Sequence, residues 1–177
     1  MKVLLAGAVA GVAMFLWGGI SHMVLPIGEM GMDVLPDEAA ISAVLKEKLP
    51  KPGMYMFPGE RDMAKFEALI RERPRGMLTY IPAGVPWSFG SSLGTQFVLE
   101  VLVCLGLAFL MNMVRSALPS IGSRILFAVL AGAIGTYWNL LSYWNWYSFP
   151  LAFVAGGLIN VVVGCAIAGF IIGKMLR

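Results

Sequence analysis

Charge is what this sequence has least of. Only 13% of its 177 residues are Asp, Glu, Lys or Arg, against about 25% in a soluble domain. Charge this sparse does not keep a globular surface wetted, whereas a lipid-facing surface has no such requirement. Cysteine is scarce too. Cys104 and Cys165 are the only two, and both lie in apolar stretches. They supply no disulfide framework and no compartment signal, and they read as packing residues. There is one histidine, His22. A lone His with no nucleophile motif, no Gly-rich phosphate loop and no metal-ligand spacing leaves no catalytic role to assign. Only a site assembled across helices would supply one. Internal repeats and low-complexity tracts are absent as well.

What is present is apolar: 59% of the residues are hydrophobic. The charge that remains is concentrated. Residues 29–75 carry seventeen of the twenty-three charged side chains. The net charge of +3 therefore describes a hydrophobic chain with one polar insert. It does not describe a basic protein that binds nucleic acid.

From Val3 to Gly28 there is no formal charge. A helix of that length reaches about 39 Å, longer than the roughly 30 Å hydrocarbon core. The first span is set at about 3–25, ending before Pro26. It is too long for the apolar part of a cleaved signal peptide. Residues 125–173 are also free of charge, enough for two spans. The break falls in Trp144-Asn145-Trp146-Tyr147-Ser148-Phe149-Pro150, where Pro ends a helix and Trp and Tyr suit the membrane interface. Spans three and four are therefore about 122–144 and 150–173. The second span, 92–114, contains Glu100.

The expected fold is an all-α membrane protein. Helix 1 lies in 1–25, a small, mostly helical extracytoplasmic cap in 26–91, and helices 2–4 in 92–177, the four forming one bundle. In the cap, Pro36-Asp37-Glu38 opens a helix with acids in its first turn, and Ile41, Val44, Leu45 and Leu49 make an apolar stripe. A second cap helix, about 60–73, carries Met63, Phe66, Leu69 and Ile70 on one face, with Glu67 and Arg71 at ion-pair spacing. Two β-prone pieces, 54–57 and 77–81, are placed to pair.

The short loops fix a sidedness. Lys2, Arg115, Arg124, Lys174 and Arg177 flank the spans on one side, while the 144–150 turn has no charge. Positive residues in short loops mark the cytoplasm. Both termini are expected inside, with the aromatic turn and the cap outside. The cap's own basic residues do not oppose this, since a loop of about 65 residues translocates largely regardless of charge.

Glu100 is the one formal charge inside a span. Such residues are costly in a membrane and by default mark a function. The alternative is that the span begins later and Glu100 sits at its outer mouth. Gln96 precedes it by one turn. His22, Asn139, Ser142 and Asn160 fall in the outer halves of the other spans, with Trp17, Trp138 and Trp144 nearby. This set points to an outward-facing pocket near Glu100. Hydrogen-bonded glue between helices is the competing explanation. Met30, Met32, Met54 and Met56 form two M-x-M pairs. Thioethers suit Cu(I), and they also fill cores. Gly7/Gly11, Ala128/Gly132 and Cys165/Gly169/Gly173 are spaced by four, which lets helices approach within the bundle or across to another chain.

Three motifs together carry a resemblance: Met23-Val24-Leu25-Pro26, Tyr55-Met56-Phe57-Pro58-Gly59 and Asn145-Trp146-Tyr147-Ser148-Phe149-Pro150. As a set, over the whole chain, they resemble a family of small bacterial inner-membrane proteins with four transmembrane helices and no characterised function. The resemblance implies a multi-pass location in the bacterial inner membrane, where the sidedness above makes the cap periplasmic, and implies no activity. Members of that family often carry an acid where this chain has Asn160, so the resemblance gives no charged site there.

Three functional expectations follow. The leading one is an accessory or assembly subunit of a larger inner-membrane complex without catalysis of its own, its partners being lipid and other subunits or a second copy. The second is a protein that binds or transports a lipid- or quinone-like molecule near Glu100. The third is periplasmic copper handling through the cap methionines.

Overall fold

The computed structural model describes residues 1–176. The elements in order are α1 (Lys2–Met23), α2 (Glu38–Lys48), β1 (Gly53–Phe57), α3 (Met63–Glu72), β2 (Gly76–Tyr80), α4 (Phe89–Met113), α5 (Ile121–Tyr147) and α6 (Leu151–Met175). α1, α4, α5 and α6 are each long and apolar enough to cross a membrane. The chain is a multi-pass membrane protein, and its fold is the expected all-α four-span bundle with one small β pair.

Two helix limits differ from the sequence reading. α4 starts three residues earlier than expected because Ser88 caps it, its Oγ accepting from the Ser91 amide at 3.4 Å. α5 runs on through Trp144, Asn145 and Trp146 to Tyr147. Aromatic residues do not stop a helix; the break comes only at Ser148, which has φ +60°, and at Pro150, which caps α6. The turn is closed by the Phe149 amide donating to the Tyr143 carbonyl at 3.3 Å and by stacking of the two rings at 5.2 Å.

The chain divides into two compact units. The first holds residues 1–32, 88–144 and 149–177, and so the four long helices apart from the last turn of α5. Its packing depends on backbone approach. A Cβ on Gly7 would stand 2.8 Å from the Leu105 Cα, and one on Gly11 only 2.6 Å from the Val101 Cα. These contacts make α1 and α4 antiparallel. A Cβ on Gly169 would meet the Ala128 Cβ at 2.7 Å, and Gly132 faces the Cys165 sulfur, so α5 and α6 are antiparallel too. α1 also packs on α6, with Gly164 against Met14 and Trp17. All three small-residue series seen in the sequence are therefore spent inside the chain.

Burial is uneven along the bundle. The core cluster includes Ala6, Ala10, Cys104, Leu107, Ala108, Met111, Ala128, Ala168 and Ile172. These lie at the start of α1 and α5 and at the end of α4 and α6, which is one end of the antiparallel bundle. No residue of α4 before Cys104 is buried, and none of α5 after Ala128. In the opposite half the buried residues are Ser21, Val154 and Gly156. Loop 27–31 folds over the start of α6 there, bringing the Ile27 carbonyl and Met30 onto Gly156. The bundle is thus packed at one end and loosely covered at the other. The packed end is tied by Arg124, which donates to the Leu118 carbonyl (3.0 Å) and the Gly173 carbonyl (2.6 Å). There its cation meets the negative end of α6. Ser120 and Ser123 form a reciprocal cap at the start of α5.

The second unit is 33–87 with 145–148. The two β-prone pieces do pair: β1 and β2 are antiparallel, with Tyr55 opposite Leu78 and Met56 opposite Met77. Asp62 caps α3 by accepting from the Ala64 and Lys65 amides. On α2 the stripe is half-buried at Ile41, Leu45 and Leu49, while Val44 is exposed; on α3, Phe66, Leu69 and Ile70 are half-buried and Met63 is exposed. Among the described residues the ion pair is Lys48–Glu47 at 2.6 Å, and the spacing of Glu67 and Arg71 is not used for one. Neither cap helix has a buried residue.

Candidate functional site in the loosely packed half of the bundle

Glu100, Gln96, Asn160 and Ser21 lie where the core runs out. Glu100 is eleven residues into α4 and thirteen from its end, so roughly 16 Å along the helix. α4 therefore begins well before Glu100. Glu100 is half-buried and accepts a 2.8 Å hydrogen bond from Gln96 Nε2. It extends the buried stripe Cys104–Leu107–Ala108–Met111 by one turn, at the point where that stripe becomes exposed. Below it, Cys104 Sγ donates to Met14 Sδ at 3.2 Å. Both cysteines are buried, as packing residues should be. Phe15 and Phe97 meet edge to face at 5.4 Å beside Gln96.

On the other side of α1, Trp17 Nε1 donates to the Asn160 carbonyl at 3.1 Å. The Asn160 Oδ1 is buried and has no hydrogen-bond partner among the described residues. Ser21, one turn beyond Trp17, is fully buried, and its Oγ is unpartnered in the same way. A buried polar atom without a partner costs about 1–3 kcal/mol and asks for a reason. Asn160 Oδ1 and Ser21 Oγ are thus two buried polar atoms in the less packed half of the bundle.

The remaining sequence candidates do not join this group. His22 is exposed, and its Nδ1 donates to the Gly18 carbonyl of its own helix while the ring lies against Gly28. Ser142 bonds back to the Trp138 carbonyl at 2.9 Å. Trp138 is 81% exposed, and Asn139 and Trp144 are exposed on the same helix. The methionines fall in both units. Met30 packs on α6 and Met32 is exposed in the first unit, whereas Met54 and Met56 stand exposed on β1 in the second. Core packing therefore accounts for Met30 and not for the β1 pair.

Sequence reasoning missed Ser21, Met14 and Met77. Ser21 is an ordinary residue in a Gly-rich helix, and only burial distinguishes it. The cap also contains an open groove of about 570 Å³ along the Phe57-Pro58-Gly59-Glu60 segment, closed on the other side by Leu69, Arg73 and Pro74. Comparison of the chain with protein-family models, with curated proteins and with solved structures finds no match in any of the three.

Proposed function

We propose that this chain is a non-enzymatic subunit of a bacterial inner-membrane assembly, covered over its loosely packed half by a neighbouring chain. The observation that carries the reading is Glu100, a half-buried carboxylate midway along an apolar helix, with Gln96 as its hydrogen-bond partner. A charge at that depth is costly to leave against lipid. A neighbouring helix that supplied a donor would remove the cost. The bare outer part of α5 and the uncovered faces of α2 and α3 suit the same role. The four described cations outside the cap, Lys2, Arg115, Arg124 and Lys174, all belong to the packed end. By the positive-inside rule that end is cytoplasmic, and the cap is periplasmic.

The test is a native mass spectrum of the C-terminally tagged protein extracted gently from its own membrane. The expected result is other chains in fixed ratio, lost in Glu100→Leu. An isolated monomer would sink the reading.

A second reading is favoured by the buried, unpartnered polar atoms Asn160 Oδ1 and Ser21 Oγ. The same half of the bundle would then hold an apolar molecule with a hydrogen-bonding head, such as a quinone. The same spectrum separates the two, since this reading requires a small added mass that Asn160→Leu removes.

A further inference from the structure

The methionines of the cap are the one sequence feature that the proposed function leaves unused. We propose that Met54, Met56 and Met77, gathered on one face of the β1–β2 hairpin, form a binding site for a soft monovalent metal ion of the Cu(I) type.

Register carries the argument. Met56 and Met77 are direct cross-strand partners, and Met54 is two residues along β1 opposite Thr79. Side chains alternate along a strand, so Met54 and Met56 share a face, and Met77 shares it with them. Directly opposite Cβ atoms lie about 4.5–5.5 Å apart. Met54 stands diagonally to Met77, roughly 7–8 Å away, and three flexible thioethers at these spacings can close on one ion. None of the three is held in a core: Met54 is 64% exposed, Met56 is 59% exposed and Met77 is half-buried. Space-filling, the usual reason for methionine, does not explain the two on β1.

The surroundings select the kind of ion. Met56 and Met77 border a small cleft shared with Phe66 and Trp146. An indole face beside a cation adds attraction. Arg75 also borders the cleft, is exposed, and disfavours a second charge on the ion. Among the described residues no three His, Cys, Asp or Glu side chains are grouped to hold a metal. The ligands offered here are thioether sulfurs, which prefer Cu(I). Met77 joins Met54 and Met56 because β2 returns antiparallel along β1.

Thioethers carry no proton in this pH range, so binding through them is independent of pH, unlike binding through Cys or His. The experiment is titration of the full-length protein in detergent with Ag(I), and with Cu(I) under anaerobic competition by a chromogenic chelator. One equivalent per chain is expected, with the same affinity at pH 5.5 and pH 7.5 as stated conditions of the assay. The Met54→Leu/Met56→Leu/Met77→Leu variant keeps side-chain volume, melts like the parent and loses the equivalent. Met30→Leu/Met32→Leu and Cys104→Ala/Cys165→Ala keep it. The proposal is overturned if the parent binds no equivalent, if the triple variant still binds, or if the cysteine variant loses binding.

Discussion

Gln96 and Glu100 stand one turn apart on α4 and share a 2.8 Å hydrogen bond in which the amide nitrogen donates to the carboxylate. The pair sits where the inward stripe of α4 passes from buried to exposed, with Cys104 fully buried one turn below. Each residue makes the other tolerable. Without Gln96 the carboxylate has no donor on its own helix, and without Glu100 the amide has no acceptor there.

That coupling is measurable. Gln96→Leu leaves the carboxylate unpaired and is expected to destabilise the protein by about 1–3 kcal/mol, whereas replacing both residues by Leu is expected to be nearly neutral, because no unpaired group remains. The check is a double-mutant cycle on unfolding in detergent. Additive single and double effects would mean the bond contributes nothing.

The glycines give a second contrast. At Gly11 a new Cβ would fall 2.6 Å from the Val101 backbone, so Gly11→Ala forces α1 and α4 apart. At Gly18 nothing lies within 4 Å, and Gly18→Ala gains helix propensity, about 0.5–1 kcal/mol. The two substitutions are expected to move the melting temperature in opposite directions in detergent. A fall for both would mean that Gly18 also serves a close contact.

Much of this was legible from residue type and spacing. Long uncharged runs gave four helices, and the spacing of Gly7 and Gly11 gave a close crossing. What spacing did not say was with whom, because a small residue permits approach without naming the neighbour. Helix ends were legible where the chemistry is local and hidden where it is not. Pro150 marked the start of α6, but Trp144 looked like a stop only because aromatic residues also favour the membrane interface. The site was the least legible part. Glu100 stood out by charge, yet Ser21 and Met77 acquire meaning only from burial and from strand register. Trp138 and Asn139 suggested a pocket by their position along the chain, and the rotation of α5 turns them to the surface.

Arg124 offers a third test. Its two bonds, to the Leu118 and Gly173 carbonyls, join the α4–α5 connection to the end of α6. Arg124→Ala removes both and is expected to cost roughly 1.5–3 kcal/mol, the scale of hydrogen bonds to charged groups. Arg124→Lys keeps the charge but has no fork to serve two carbonyls, so it should fall between. Thermal unfolding of the three proteins in one detergent is the check. A lysine variant as stable as the parent would assign the effect to charge alone.

Ser21 is the case where deletion should help. Its side chain is fully buried, and its Oγ has no partner among the described residues. A serine within a helix usually satisfies its hydroxyl by bonding back to the carbonyl one turn earlier, here that of Trp17, and Ser21 does not. Replacing it by Ala removes an unpaired group and adds no bulk. Ser21→Ala is therefore expected to raise the stability of the empty protein by roughly 1 kcal/mol. The sign depends on occupancy. If a molecule in the native membrane hydrogen-bonds to Ser21 Oγ, the hydroxyl is paired when that molecule is bound, and the same substitution then weakens the loaded protein. Melting curves of Ser21→Ala and parent, each measured with and without extracted native lipid, separate the cases. A gain in both conditions makes Ser21 a residue of the seam alone. A gain without extract and a loss with it identifies the seam as a binding site, because only a bound group changes the sign of a hydroxyl deletion.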